Sequence, residues 1–343
     1  MGGRALLVYR ERSASWAGSE RVLAYMVKVL RELGYFTTVL TFDGEWGNGF
    51  EKPDVLRGVP GPNGGTYWRL FRFIKGVYSL TYERYVRFRS RFDVVIDAAY
   101  NDLRGWVDLG YVHYPYCSVR LKLLFPTKAR VIAANSTWTL TRLKGCGVSN
   151  VVVIHPPVEP IKCRGDPLRL KEDLVIGVGR LSKPWEEFIE VAKLVRARRP
   201  GVRFVIMGLT DSMARVRYLK ELGQGAVEVL PNVPEEVKAD FMCRARAILH
   251  THPAEHFGIA IVEAMSTGAV PVVHRDGGAW LDVVEEGRFG FGFNTVNEAA
   301  EQVLNALDAN AEYRETVMAR SMIFSYGNFK KALITHLNIA ATQ

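Results

Sequence analysis

Short apolar runs alternate with longer amphipathic stretches along the whole chain. Ala5–Tyr9, Phe36–Thr41, Val94–Ala98, Arg130–Ala134 and Val151–Ile154 have strand length and strand composition. Ser19–Leu33 carries its apolar positions at helical spacing and stops at Gly34. The alternation then breaks at His155–Pro167, which holds Pro156, Pro157, Pro160, Gly165 and Pro167. Proline fixes φ and removes an N–H, so it blocks both helix and central strand, and this stretch reads as a linker. Beyond it the pattern restarts. Leu174–Val178, Arg203–Met207, Ala226–Leu230, Ala247–His250 and Val270–Val273 read as strands, and Trp185–Arg198 as a helix. Strands alternating with helices predict parallel sheets with right-handed crossovers. The expected architecture is α/β: two Rossmann-like domains, residues 1–158 and 168–324, facing an interdomain cleft.

Composition supports two packed domains. The chain has 343 residues, 48% of them hydrophobic and 24% charged, which excludes a disordered chain. No apolar run reaches the roughly 18 residues that a membrane span needs. Met1–Arg10 lacks the basic, apolar, small order of a signal peptide. Cys117, Cys146, Cys163 and Cys243 lie far apart with no Cys-x-x-Cys pair. Neither a disulfide framework nor a zinc ribbon is expected, and a reducing, cytoplasmic compartment is.

Charge adds an asymmetry. The net charge is +9. Residues 1–160 hold 22 Lys+Arg against 13 Asp+Glu, which is +9, and residues 161–343 hold 23 of each. The first half is therefore expected to meet something acidic, unless its arginines merely coat a thermophile-like surface. The excess peaks at Tyr67–Asp93, with seven bases and two acids. Phe71, Ile74, Tyr78, Tyr82, Tyr85 and Phe88 recur there every three or four residues. A basic helix with an aromatic face fits an anionic membrane surface, and equally a helix whose apolar face joins the core.

Two places could carry chemistry. Gly18 precedes a helix start after the first strand, where backbone N–H groups can approach a diphosphate, or it is a mere turn. In His250–Glu263, three histidines lack the helical spacing of a metal site. Glu255 and Glu263, eight apart, flank the Phe257-Gly258-Ile259 turn that opens a helix running to Gly268. Ionised carboxylates accept hydrogen bonds only, so this pair suits sugar and ribose hydroxyls. Two surface glutamates on a capped helix would be the ordinary alternative.

The stretch Glu255-His256-Phe257-Gly258-Ile259-Ala260-Ile261-Val262-Glu263-Ala264-Met265 resembles the donor-site signature of the family 4 retaining glycosyltransferases of GT-B fold. Gly18-Ser19-Glu20-Arg21, Asn135-Ser136-Thr137-Trp138-Thr139, His155-Pro156-Pro157-Val158 and Gly179-Arg180-Leu181-Ser182 resemble other family segments, in the family's order. Tyr111-Val112-His113-Tyr114-Pro115, His250-Thr251 and Gly277-Gly278 are similar to the subgroup of α-1,2-mannosyltransferases that extend lipid-linked oligosaccharides on the cytosolic face. Members of that subgroup are longer and membrane-anchored.

The resemblance implies roles for matching positions. Glu255 would hold hydroxyls of the transferred sugar and Glu263 the ribose. Phe257, Gly258 and Ile259 would offer backbone N–H groups. Arg180 would neutralise the departing diphosphate, Gly18 would let the N-terminal domain approach it, and His113 would sit near the anomeric carbon. The family's lysine, five residues after the arginine, is replaced by Trp185, and Lys183 stands in as the nearest base. The last segment, 325–343, would cross back to the N-terminal domain.

The implied activity is a metal-independent, cofactor-free transfer. The donor would be a nucleotide-sugar, GDP-mannose, and the acceptor a lipid-linked or other phosphate-bearing glycan. The protein would be cytoplasmic, peripheral on the membrane through residues 67–93, and would bind no nucleic acid. A UDP-sugar enzyme with a soluble acceptor, an inactive relative marked by Trp185, and a nucleic-acid binder using the basic stretch are the competing readings. Asn135 heads an Asn-Ser-Thr sequon at a strand-to-helix junction and is not read as glycosylated.

Overall fold

Strands buried on both faces read as continuous apolar runs, and such strands build both sheets here. The computed structural model describes residues 2–9, 18–41, 46–47, 49–58, 91–98, 105–115 and 127–339. The chain divides into two units, Met1–Pro157 with Tyr326–Gln343, and Val158–Ser325. The basic stretch Tyr67–Asp93 lies outside the described residues as far as position 90.

The first unit holds a seven-stranded sheet. Its strands are Arg4–Val8 (β1), Phe36–Thr41 (β2), Val55–Gly58 (β3), Val94–Asp97 (β4), Gly105–Val112 (β5), Thr127–Ala134 (β6) and Val151–Val153 (β7). They lie in the order β3-β2-β1-β4-β5-β6-β7, every pair parallel. Helix α1, Gly18–Glu32, buries Val22, Met26, Val29 and Leu30 against Leu7, Val39 and Ile96. The C-terminal helix Tyr326–Leu337 adds Phe329 and Leu333 to the same core. Lys330 Nζ reaches Glu32 Oε2 at 2.6 Å, and Arg130 donates to the Leu337 carbonyl at 2.8 Å. Helix α2, Thr137–Gly145, starts at Ser136, whose hydroxyl accepts from the Thr139 N–H at 3.1 Å. Asn135 is buried and its amide donates to the His113 carbonyl at 2.7 Å, so this sequon is spent on packing.

The second unit holds a six-stranded sheet in the order β10-β9-β8-β11-β12-β13, again all parallel. Its strands are Glu172–Val178 (β8), Arg203–Gly208 (β9), Glu228–Pro231 (β10), Ala245–His250 (β11), Val270–His274 (β12) and Phe291–Phe293 (β13). Its helices are Glu186–Arg198 (α3), Met213–Gly223 (α4), Glu235–Arg244 (α5), Ile259–Met265 (α6), Val296–Asp308 (α7) and Ala311–Ser321 (α8). They pack on the sheet around one continuous core that includes Val175, Phe188, Ile206, Leu249, Val272 and Val303.

Two expectations change. Residues 158–167 belong to the second unit rather than lying between domains. Val158 N–H donates to the Phe324 carbonyl at 2.8 Å, and Ile161 N–H to Ser266 Oγ at 3.0 Å. The three cysteines among the described residues are disulfide-bonded, contrary to the reading from their spacing. Cys163 and Cys243 form a disulfide with their Cα atoms 5.7 Å apart, and Cys146 is disulfide-bonded as well. Cys163 and Cys243 are 80 residues apart. They meet because Val158–Pro167 runs past the end of α5, which spacing along the chain does not encode.

Candidate functional site

In the second unit, β8 and β11 are neighbours, yet the chain leaves β8 toward β9 and leaves β11 toward β12, on opposite sides. Loops that diverge in this way open a crevice at the carboxyl ends of the strands, the usual ligand position in open α/β sheets. The loop after β8 carries Arg180 and Lys183, and the loop after β11 carries Glu255. The two loops meet there. Lys183 Nζ lies 3.2 Å from Glu255 Oε2, and His250 Nε2, at the end of β11, lies 3.0 Å from the same oxygen.

The β8 loop is held by backbone contacts that need glycine. A Cβ on Gly208 would stand 1.7 Å from the Gly179 carbonyl oxygen. Gly179 N–H donates to the Met207 carbonyl and Leu181 N–H to the Leu209 carbonyl, both at 3.0 Å. Trp185 is buried beneath the loop, edge-on to Phe188, with its indole N–H on the Arg180 carbonyl at 3.1 Å. A Cβ on Gly177 would lie 2.7 Å from that indole. The indole therefore fills the core while Lys183 reaches Glu255. Arg215 of α4 fixes the loop from outside, donating to the Leu181 and Lys183 carbonyls at 3.1 and 2.8 Å and to Glu186 at 3.0 Å. Sequence reading passed over Arg215, because nothing in a basic helix position marks it as a loop anchor.

The β11 loop is held by its own glycines. The Glu255 carbonyl accepts from Gly278 N–H at 2.7 Å, and Glu255 bridges to Gly277. Gly277 has φ +92°, and a Cβ there would fall 2.4 Å from the Glu255 carbonyl oxygen. Gly258 caps α6 at φ +94°, a left-handed conformation that favours glycine. Phe257 is buried with its ring 5.2 Å from that of Phe324. Ile259 is the first residue of α6, and Glu263, further along it, is buried with Lys238 of α5 at 3.4 Å.

Residues 164–320 match the family model described as glycosyl transferases group 1. This segment is a group 1 glycosyl transferase domain. The chain is 29% identical over 208 residues to the human "GDP-Man:Man(3)GlcNAc(2)-PP-Dol alpha-1,2-mannosyltransferase", covering 54% of this chain and 42% of that protein. Against the Xenopus laevis protein of the same description it is 27% identical over 222 residues, covering 58% and 45%. The matches thus span less than half the length of these relatives. A crystal structure of a glycosyltransferase from Rickettsia africae superposes with a TM-score of 0.75 over 99% of both chains at 15% identity. The fold is that of the GT-B glycosyltransferases, built from two Rossmann-like units.

Within the glycosyl transferase domain, burial pushes the Glu255 carboxyl up, but the His250 hydrogen bond and the charges of His250, Lys183 and His256 outweigh it. They hold Glu255 well below its ordinary value, so it is an ionised acceptor. His252 is pushed down to about 3, by burial first and then by His250 and Lys183. His256 is lowered too, again mainly by burial. The site thus pairs one carboxylate with one ammonium and surrounds them with imidazoles.

The domain brings together Lys183, His250 and Glu255, and holds Arg180, Phe257, Gly258, Ile259 and Glu263 on the same two loops and α6. Arg180 is exposed. His113 and Gly18 stand in the first unit. His113 directly follows β5, is buried, and packs its ring 4.9 Å from that of Tyr111. Gly18 opens α1, beside Ser19, whose hydroxyl meets Tyr9 Oη at 3.0 Å.

Proposed function

We propose that the chain is a retaining glycosyltransferase that moves mannose from GDP-mannose to a lipid-linked or other phosphate-bearing glycan. One observation carries the reading: an ionised Glu255, met by Lys183 and His250 at the switch point of the second sheet, eight residues before the buried Glu263. Glu255 accepts hydrogen bonds from hydroxyls of the donor sugar, and Glu263 accepts them from the ribose. Phe257, Gly258 and Ile259 face the donor with backbone N–H groups. Arg180 and Lys183 stabilise the charge that builds on the diphosphate as the glycosidic bond breaks. Electrostatic stabilisation of this kind is commonly the largest catalytic contribution, about 3 kcal/mol per donor removed. Gly18 and His113, in the first unit, keep the roles that the family resemblance implies for them. The chemistry asks for no cofactor and no metal.

A lipid-linked acceptor brings the enzyme to the cytosolic face of a membrane as a peripheral protein, with the basic stretch 67–93 as its anionic-surface contact. No helix among the described residues is long and apolar enough to cross a membrane. The Cys163–Cys243 disulfide suits that compartment in an organism that keeps intracellular disulfides, as hyperthermophiles do.

The test is a thermal-shift titration with GDP, UDP, ADP and their sugar conjugates. Selective binding at a hundredfold excess over Kd stabilises by roughly 2.7 kcal/mol. A shift with GDP and GDP-mannose alone supports the reading. A shift with UDP compounds alone transfers it to a UDP-sugar enzyme, and no shift with any nucleotide overturns it. Glu255→Ala is expected to abolish transfer while the fold survives, and full activity in that variant would remove Glu255 from its role.

A further inference from the structure

Sugar binding by Glu255 leaves its closest neighbour without a task. His250 ends β11, is 8% exposed, and places Nε2 3.0 Å from Glu255 Oε2. An ionised carboxylate only accepts, so Nε2–H is the donor. Its other nitrogen, Nδ1, is buried with no hydrogen-bond partner, so the ring has one polar contact to make and makes it with Glu255. The ring is also clamped. It meets His252 edge-on, centroids 5.1 Å apart at 89°, and His252 in turn meets the buried Trp185 at 5.6 Å. A core tryptophan thus fixes, through one imidazole, the orientation of the next.

Lys183 approaches the same oxygen from the opposite loop at 3.2 Å. Both bonds fall on Oε2, and among the described residues Oε1 accepts none. The two donors differ in kind. The Lys183 side chain is 40% exposed on a flexible stem, and a diphosphate would compete for its charge. His250 is buried, clamped and has no competing partner.

Resting on the glycosyltransferase reading, we propose that His250 is a positioning residue. Its Nε2–H pins Glu255 Oε2 so that Oε1 is presented to a hydroxyl of the donor sugar, and it keeps that hold when Lys183 turns to the diphosphate. Any pH dependence of this arrangement involves the groups that face Glu255: Lys183 from the β8 loop, His250 and His252 at the end of β11, and His256 beside it. His274 from β12, 3.3 Å from Glu187, acts on His252 from behind.

The experiment is calorimetric binding of GDP and of GDP-mannose to the full chain and three His250 variants. His250→Leu keeps bulk and removes the donor. His250→Asn is polar but too short to reach Oε2, and serves if the leucine variant does not fold. His250→Gln can place an N–H near the original Nε2. The expected result is unchanged GDP affinity throughout, with GDP-mannose binding weakened roughly 10–100-fold in the Leu and Asn variants. His250→Gln should recover to within about threefold of the parent, the residue of an imperfectly placed hydrogen bond. The acid limb of GDP-mannose binding should also move to higher pH in the Leu variant, since Glu255 loses a donor that favours its ionised form. Equal loss for GDP and GDP-mannose would mean a structural role, and no loss for either would mean no role; each overturns the inference. Glu255→Gln separates the two layers. If it binds GDP-mannose as the parent does, the sugar-site reading itself fails. If it weakens binding while His250→Leu does not, only the positioning role falls.

Discussion

Lys171 shows how a single side chain can set the pH response of a domain. Its Nζ donates to the Cys243 carbonyl at 3.0 Å, and burial, with Arg314 nearby, lowers its pKa to about 7. The unfolded chain holds that proton up to its ordinary value of 10.5. Between those limits the unfolded state binds more protons, so stability rises with pH and is lost again as pH falls through 7. Urea unfolding of the parent at pH 7 and pH 9 should show this gain, and Lys171→Met should flatten it. His252, held down to about 3, acts with the same sign in a lower window: stability falls as pH drops from 6.5 toward 3. At this scale Glu255, Glu263 and Gly258 could be nominated as candidates, because the turn that opens a helix and the run of residues that carries the family resemblance are both local stretches of chain. The directions in which Lys183 and Trp185 point were not legible. Both stand in an irregular loop, and only packing against Gly177 and Phe188 turned the indole inward.

Helix ends and strand ends in the second unit converge on Arg314 of α8. Its buried guanidinium donates to the carbonyls of Ala306 and Leu307 in the last turn of α7, and to those of Ala309, Arg246 and Gly268. One side chain thus satisfies carbonyls that a helix terminus leaves open. Arg314→Met should destabilise by about 3 kcal/mol, because several buried acceptors lose their donor at once. Denaturant unfolding with an unchanged m-value would bear this out, and a loss below about 1 kcal/mol would remove Arg314 as the common anchor. Most strands could be read from their apolar runs, but β3, which is only Val-Leu-Arg-Gly, β5 and β13 could not. In β5 the run is broken by Asp108, which is buried because its carboxylate accepts from Val95 N–H at 2.9 Å. β13 is only Phe-Gly-Phe, too short for any period to register.

Across the whole second unit, the Cys163–Cys243 bridge ties Val158–Pro167 to the end of α5. Closing a loop of 80 residues restricts the unfolded chain, and removing the bridge is expected to cost about 4 kcal/mol. A Cys163→Ser, Cys243→Ser double variant should therefore melt well below the parent under non-reducing conditions, and the two should converge when a reductant is present. Equal melting temperatures without reductant would show that the bridge does not restrain the unfolded state.

The alternation of strand and helix, the proline-rich break near 156–167 and, through a family resemblance, the candidate glutamate pair could be drawn from the chain alone, since period, turn chemistry and a short motif are written over a few neighbouring residues. The affiliation of Val158–Pro167, the disulfide and the meeting of Lys183, His250 and Glu255 could not. Lys183 and Glu255 are separated by 72 residues, and what joins them is the order of strands in a sheet. That order follows from which apolar faces bury one another, a choice made by the folded core.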